Sequence, residues 1–182
     1  MKIYTKTGDK GQTQVYAEQM LRLPKDADVV ECYGTLDELN AHLGLLGSYL
    51  ISGDDKVQLE RIQQTLFQIG FAISATTTLS DADVELLESH IDSLQNTLPP
   101  QTTFILPNGC TAACQAHVCR TVARRAERRM VALLADYPVP DICLRYLNRL
   151  SDYLFVFARA QNFQAGVEES KVWKPLKRGV HP

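Results

Sequence analysis

The sequence predicts an all-α fold, a five-helix up-and-down bundle with a short extended N-terminal segment. Three observations lead there. Apolar residues recur at alternating intervals of three and four in segment after segment, which places a stripe along one side of each helix. Prolines and glycines punctuate the chain where those patterns stop. The 182 residues suffice for one domain to enclose a core without disulfide or metal staples.

The first helix is expected over residues 27–50 on Leu36, Leu39, Leu43, Leu46 and Leu50, and the second over 55–75 on Leu59, Ile62, Leu66, Ile69 and Ile73. The third, 81–98, carries Val84, Leu87, Ile91, Leu94 and Leu98, takes Ser80 or Asp81 as N-cap and closes at Pro99-Pro100. A fourth starts near Cys110, after the Pro107-Asn108-Gly109 turn, and runs to about Tyr137, where Pro138 and Pro140 stop it. Its core line of Ala113, Ala116, Ala123 and Ala126 is small until Met130 and Leu133, so a neighbouring backbone or a ligand can come close, and Arg120 sits in that line. The fifth, 141–162, has Cys143, Leu147, Leu150, Leu154 and Phe157 on its apolar side, with Asn148, Asp152, Phe155 and Arg159 on an adjacent face. Segments 3–16 and 104–106 read as extended and 171–175 as an arm. The expected organisation is a single domain over 1–182: an N-terminal segment (1–26), the bundle (27–163) and a C-terminal arm (164–182).

Charge is concentrated rather than general. Arg120, Arg124, Arg125, Arg128 and Arg129 crowd one helix in a chain whose net charge is −2. Arg120, Arg124 and Arg128 follow i, i+4, i+8 spacing, so their forks project from one side and suit successive phosphates. The competing reading is a solvated stripe in which Glu127 pairs with Arg124 one turn back or orients another arginine. A second polyanion signal is Thr5-Lys6-Thr7-Gly8-Asp9-Lys10-Gly11-Gln12-Thr13, where hydroxyls, ammonium groups and two glycines let backbone N–H groups approach a ligand. An ordinary hairpin turn uses the same residues. Together the two signals suggest a nucleotide triphosphate. The site is not a Walker A loop, since only two residues separate Gly8 from Gly11, and no dinucleotide fingerprint is present.

Other chemistries are weighed against their spacings. No apolar run approaches the roughly 20 residues that span a bilayer, and the slightly acidic balance leaves no general nucleic-acid footprint. Five cysteines, an odd number at irregular spacing, fit a reducing cytoplasm. No glutamate has a histidine three residues on, which excludes a di-iron bundle. Cys110, Cys114 and His117 could offer three zinc ligands on adjacent turns, but no fourth is evident, so no metal site is assigned. Asp37 lies between core residues Leu36 and Leu39, where a carboxylate needs a partner such as Arg120; alternatively Asp37 and Asn40 lie just beyond the buried stripe and face water.

The ordered segments are Tyr4 to Gly11, Tyr33-Gly34-Thr35-Leu36-Asp37-Glu38-Leu39-Asn40, Phe104-Ile105-Leu106-Pro107, Arg120 to Arg128, and Tyr146 to Leu154. In that order, over nearly the whole chain, they resemble the PduO-type ATP:cob(I)alamin adenosyltransferases. The resemblance implies a homotrimer with each active site between subunits, the N-terminal segment folding over ATP beside the fourth helix. It implies attack by the cobalt of cob(I)alamin on the 5′ carbon of ATP, giving adenosylcobalamin and triphosphate. Cobalt being the nucleophile, no serine, cysteine, histidine or general base is required. The protein must align the reacting atoms and stabilise charge on the departing triphosphate.

By the same resemblance Thr5, Lys6, Thr7, Gly8, Thr13, Gln14 and Lys25 contact ATP from the N-terminal side, and Arg124, Arg125, Ala126, Glu127, Arg128 and Asn148 from the helices. Arg124 is expected to stabilise transition-state charge. Asp37 and Arg120 form an ion pair across the subunit interface, and Phe104 sits over the lower face of the corrin and helps displace its axial ligand. Magnesium accompanies ATP, held mainly by phosphates and water. The chain departs from the family where Asn108 replaces a second glycine and Ala116 an aliphatic residue, both on the corrin side. A cobalamin carrier that hands the finished cofactor to a dependent enzyme, and a trimeric scaffold, are the other readings; a reductase and a cobalamin-dependent acceptor enzyme are the further partners the resemblance implies.

Overall fold

The computed structural model describes residues 2–15, 21–51, 53–74 and 76–173; Tyr16, Ala75, Lys174 and Pro175, which the sequence places at element ends, lie outside the described residues. Five helices follow a short hairpin: α1 (Asp28–Ser48), α2 (Gly53–Ser74), α3 (Asp81–Gln95), α4 (Thr111–Leu133) and α5 (Asp141–Gln164). In space α1 packs on α2 and α4, α4 packs on α5, and α5 packs on α3. Their order is thus α2, α1, α4, α5, α3. The connection 96–110 must therefore carry the chain past α5, and it is α5 that holds it, through Arg159 at Pro99 and Asn162 at Asn108.

Each predicted stripe faces the common core. Leu39, Leu43, Leu46, Leu59, Ile62 and Ile69 are buried almost completely, each contributing roughly 1.5–3 kcal/mol relative to exposure. On α4, Ala113, Ala116, Ala123 and Ala126 are buried as expected, and their small size lets α4 approach both α1 and α5. Flanked by α4 and α3, α5 is buried well beyond its predicted stripe: Tyr146, Ser151, Tyr153, Val156 and Arg159 are enclosed too. The third helix shows the reverse, with only Val84 and Leu87 fully covered and Ile91 and Leu94 half-buried.

Helix ends differ from expectation for local reasons. Gly53 starts α2 before the predicted residue 55, with Asp54 and Asp55 in its first turn favouring the positive end of the helix dipole. Ser80 caps α3, its N–H donating to Asp83 Oδ2 at 3.0 Å, but the helix stops at Gln95, where the Thr97 hydroxyl donates to the carbonyl of Leu94 at 2.7 Å. At the end of α4, Leu134 to Asp136 form a turn instead of further helix.

The hairpin was only half foreseen. β1 (Gln12–Val15) lies in the predicted extended segment, but its antiparallel partner β2 (Leu21–Pro24) does not; four residues ending in proline show no readable alternation. The extended segment at residues 104–106 is seen, with Ile105 paired to Lys171. Among the described residues no helix is long and apolar enough to cross a membrane.

Candidate functional site

The N-terminal segment is drawn into a compact loop by its own chemistry. Gly11, at φ 76°, turns the chain so that its N–H donates to the carbonyl of Gly8 at 3.2 Å, and the N–H of Lys25 donates to the carbonyl of Gly11 at 2.9 Å. Hairpin register and this bond bring Lys25 back against the loop. A side chain at Gly8 would meet the Lys25 Nζ at 3.4 Å, so glycine there keeps the ammonium beside the backbone. Thr5 and Thr7 share a hydroxyl hydrogen bond of 2.9 Å, and between them Lys6 takes a left-handed backbone (φ 59°), a conformation costing about 1–2 kcal/mol for a side chain of this kind. Arg22, opposite Gln14 in the hairpin, donates to the carbonyl of Thr7. The sequence reading missed Arg22, because its place depends on a strand that no pattern announced.

On α4 the arginines divide. Arg125 pairs with Glu38 and Arg129 with Glu31 at 3.3 Å, both carboxylates on α1. Arg120, Arg124 and Arg128 have no acidic partner among the described residues. Arg120 and Arg124 line a groove of about 600 Å3 with Glu88, Asp92, Asp152 and Phe155. Arg149 in the same groove is committed, to Glu88 at 2.9 Å and Asp152 at 2.8 Å. Burial and the neighbouring Arg124 guanidinium lower the proton affinity of Arg120, whose Nε is buried with no hydrogen-bond partner among the described residues. His117, one turn before Arg120 and beside the Phe155 ring, is pushed down to about 4 by burial and by Arg120, and so stays neutral.

Glu127 departs from the competing reading of a solvated stripe. It accepts the Asn148 amide at 2.9 Å instead of pairing with Arg124, since the packing of α5 on α4 brings an amide within reach. Ala126 is wholly buried and its methyl group belongs to the core, whereas Arg128 and Asn148 are exposed beside the groove-forming helices. Asp37 is exposed as the second reading expected, but Asn40 is buried, exchanging amide hydrogen bonds with the Gln63 backbone and side chain. Asp37 lines an apolar cavity of about 310 Å3 with Thr13 and Gln14, apart from the groove of Arg120. Within one chain, then, Thr13 and Gln14 line one concavity and Arg120 and Arg124 another.

Phe104 stands out from the connection between α3 and α4, with 83 % of its surface exposed. Asn162 of α5 secures the far side of that turn, accepting from the Cys110 N–H at 2.9 Å and donating to the carbonyl of Asn108 at 3.0 Å. Cys114 contributes a weak contact from its thiol to the carbonyl of Gly109 at 3.5 Å. No group of three or more histidine, cysteine or acidic side chains among the described residues is arranged to hold a metal ion. Burial pushes the Cys119 and Cys143 thiols up to about 12 and 11, which leaves them protonated packing groups.

The pattern of cobalamin adenosyltransferases matches residues 3–161. The chain belongs to the cobalamin adenosyltransferase family. It is 44 % identical over 177 residues to the corrinoid adenosyltransferase of Bacillus subtilis (strain 168), covering 92 % of this chain and 90 % of that one. With the corrinoid adenosyltransferase PduO of Salmonella typhimurium it shares 40 % over 173 residues, 91 % of this chain but only 51 % of the relative, so it spans about half of that longer protein. A phenylalanine-to-alanine variant of the PduO-type ATP:corrinoid adenosyltransferase of Lactobacillus reuteri, complexed with cobalamin and ATP, superposes with a TM-score of 0.87 at 35 % identity, covering 95 % of this chain and all of that one. An arginine-to-lysine variant of the same enzyme, complexed with ATP, gives 0.86. For a cobalamin adenosyltransferase the division of the arginines is chemically apt: the pairs to α1 secure the helix, and Arg120, Arg124 and Arg128 keep guanidinium groups without a carboxylate partner among the described residues.

Proposed function

We infer that this chain is an enzyme that transfers the 5′-deoxyadenosyl group of ATP to cob(I)alamin, forming adenosylcobalamin and triphosphate. The observation that carries this reading is the row of guanidinium groups at Arg120, Arg124 and Arg128, left without carboxylate partners while Arg125 and Arg129 are tied to α1. Arg120 and Arg124 bring such unpaired charge to the groove, where it is suited to a polyanion.

In the reaction a cobalt–carbon bond forms at C5′ as the bond from C5′ to the triphosphate oxygen breaks, and the electron pair of that bond leaves with triphosphate. Arg124 meets the growing negative charge. Thr5, Lys6, Thr7, Gly8 and Lys25 hold phosphates from the N-terminal loop, Thr13 and Gln14 extend that contact along β1, and Asn148 orients the nucleotide from α5. Arg128 supplies further positive charge, Arg125 approaches the nucleotide from its pair with Glu38, and Glu127 keeps the Asn148 amide in place. Glu127 is the only carboxylate in this set, and it is already engaged. Such a donor set suits a magnesium ion carried by phosphates and water, with the paired Thr5 and Thr7 hydroxyls as the protein oxygens at hand. Phe104, exposed and apolar, lies against the lower face of the corrin and excludes a nitrogen ligand and water from cobalt.

That Thr13, Gln14 and Asp37 line one concavity and Arg120 and Arg124 another within one chain supports a homotrimer in which a neighbour completes each site, with Asp37 and Arg120 paired across the interface. Free cysteines throughout the described chain fit a cytoplasmic setting, where a reductase supplies cob(I)alamin and a cobalamin-dependent enzyme accepts the product. The test is anaerobic incubation with chemically reduced cob(I)alamin and Mg-ATP, measuring both products. Repeated turnover with equal amounts of adenosylcobalamin and triphosphate is expected. Corrin binding without product would favour a carrier, and absence of both would defeat the reading.

A further inference from the structure

Phe104 has little packing of its own, so its position is set through the backbone, and that backbone is paired with the C-terminal segment. The Val172 N–H donates to the Phe104 carbonyl at 2.9 Å, and the Leu106 N–H donates to the carbonyl of Ser170 at 2.8 Å, on either side of the Ile105 and Lys171 pair. Asn108 adds a side-chain bond to the Ser170 hydroxyl at 3.2 Å. The predicted arm is therefore, in its described part, held to the Phe104 turn by an isolated antiparallel bridge.

What anchors this segment is a buried charge. Glu169, next to Ser170, accepts from Arg159 Nε at 2.7 Å and from Nη2 at 3.3 Å, and the same Nη2 donates to the carbonyl of Pro99 at 3.0 Å. The Arg159 side chain is 5 % exposed and that of Glu169 22 %. One guanidinium thus joins three pieces: α5, the chain entering the Phe104 turn at Pro99, and the segment that pairs with it. A buried ion pair yields little net stability compared with an apolar substitute, but its fork fixes two oxygens in direction and register. The arrangement supplies geometry where Phe104 needs it.

We propose that Arg159 and Glu169 are positioning residues for Phe104, their ion pair holding the bridged segment at residues 169–172 that sets the aromatic ring against the corrin. This rests on the reading of Phe104 given under the proposed function.

Glu169→Ala tests it, and because it leaves the buried Arg159 guanidinium without its carboxylate, the amides of α4 and α5 report whether the bundle stays packed. Hydrogen exchange at the Leu106 and Val172 amides is expected to accelerate at least about tenfold while amides within α4 and α5 are unchanged. Turnover should fall about tenfold with the KM for ATP held within about twofold, and Glu169→Gln should be intermediate. With cob(II)alamin and Mg-ATP, the electron paramagnetic resonance splitting from the lower axial nitrogen should persist in a larger fraction of Glu169→Ala than of wild type. In a Phe104→Ala background, Glu169→Ala should cause no further loss. Unchanged exchange at the two amides, or an equal loss of turnover in both backgrounds, would overturn the latch. Wild-type protein that makes no adenosylcobalamin would instead refute the proposed function, a result separate from the exchange measurement.

Discussion

The side-chain amide of Asn148 donates to Glu127 Oε1 at 2.9 Å, joining α5 to α4 one turn beyond Arg124. Without Asn148 the carboxylate is free to turn back toward Arg124 and neutralise it. Asn148→Ala is therefore expected to weaken ATP binding about tenfold, the scale of one hydrogen bond to a charged group. Calorimetric titration with Mg-ATP measures it, and Glu127→Gln in the same background should recover part of the affinity. Unaltered binding in Asn148→Ala would remove this residue from the nucleotide site.

Arg124 and Arg129 lie on one helix but in opposite circumstances. Arg124→Ala should lower kcat/KM by roughly 10²- to 10³-fold, as for loss of a donor to developing anionic charge. Arg129, paired with Glu31 and about half exposed, contributes only the ~0–1 kcal/mol of a surface ion pair, and Arg129→Ala should leave kcat/KM within about threefold. Steady-state kinetics on the two variants decide the matter, since equal losses would mean that the helix, not the unpaired face, is what matters.

Gly109 has φ 127°, and a methyl group there would overlap the Asn162 side chain that holds the Phe104 turn. Gly109→Ala carries backbone strain of about 1–3 kcal/mol and disturbs two hydrogen bonds of about 1 kcal/mol each. A melting temperature lower by roughly 5–15 °C is expected in calorimetry. An unshifted transition would show that the turn tolerates the ordinary backbone angles.

His117 provides a pH signature. Its pKa falls from 6.5 to about 4 on folding, because burial and Arg120 disfavour the cation. Between those values the unfolded chain binds a proton that the folded chain excludes. Stability complete above pH 6.5 is thus lost as pH falls toward 4, by about 3 kcal/mol in all. His90, also pushed down by burial, acts in the same direction. Thermal melts from pH 7 to 4.5 should decline less steeply in His117→Leu than in wild type; identical slopes would assign the loss to other groups.

Helices were legible wherever an apolar stripe was sustained, because a period near 3.6 forces those residues to one side and burial then selects that side. Leu39, Leu43 and Leu46 show this directly. The hairpin partner at Leu21 was not legible, since four residues carry too little periodicity. Spacing likewise put Arg124 and Arg125 in one cationic run, and only packing against α1 separated them, by presenting Glu38 to one of them. Asn40 looked like a surface amide until Gln63 of α2 supplied its partners.

By itself the sequence determined the five helices, their inward faces, the small-residue line of α4 and the concentration of guanidinium groups there. These follow from local periodicity and composition, which a single chain segment carries with it. The tertiary structure alone decided which arginines are paired, that Lys25 returns to Gly8, that Asn148 engages Glu127, and that Arg159 is buried against Glu169. Those relationships join residues far apart in the chain, and an ion pair or hydrogen bond between them depends on a few ångströms that only the packing of one helix on another sets.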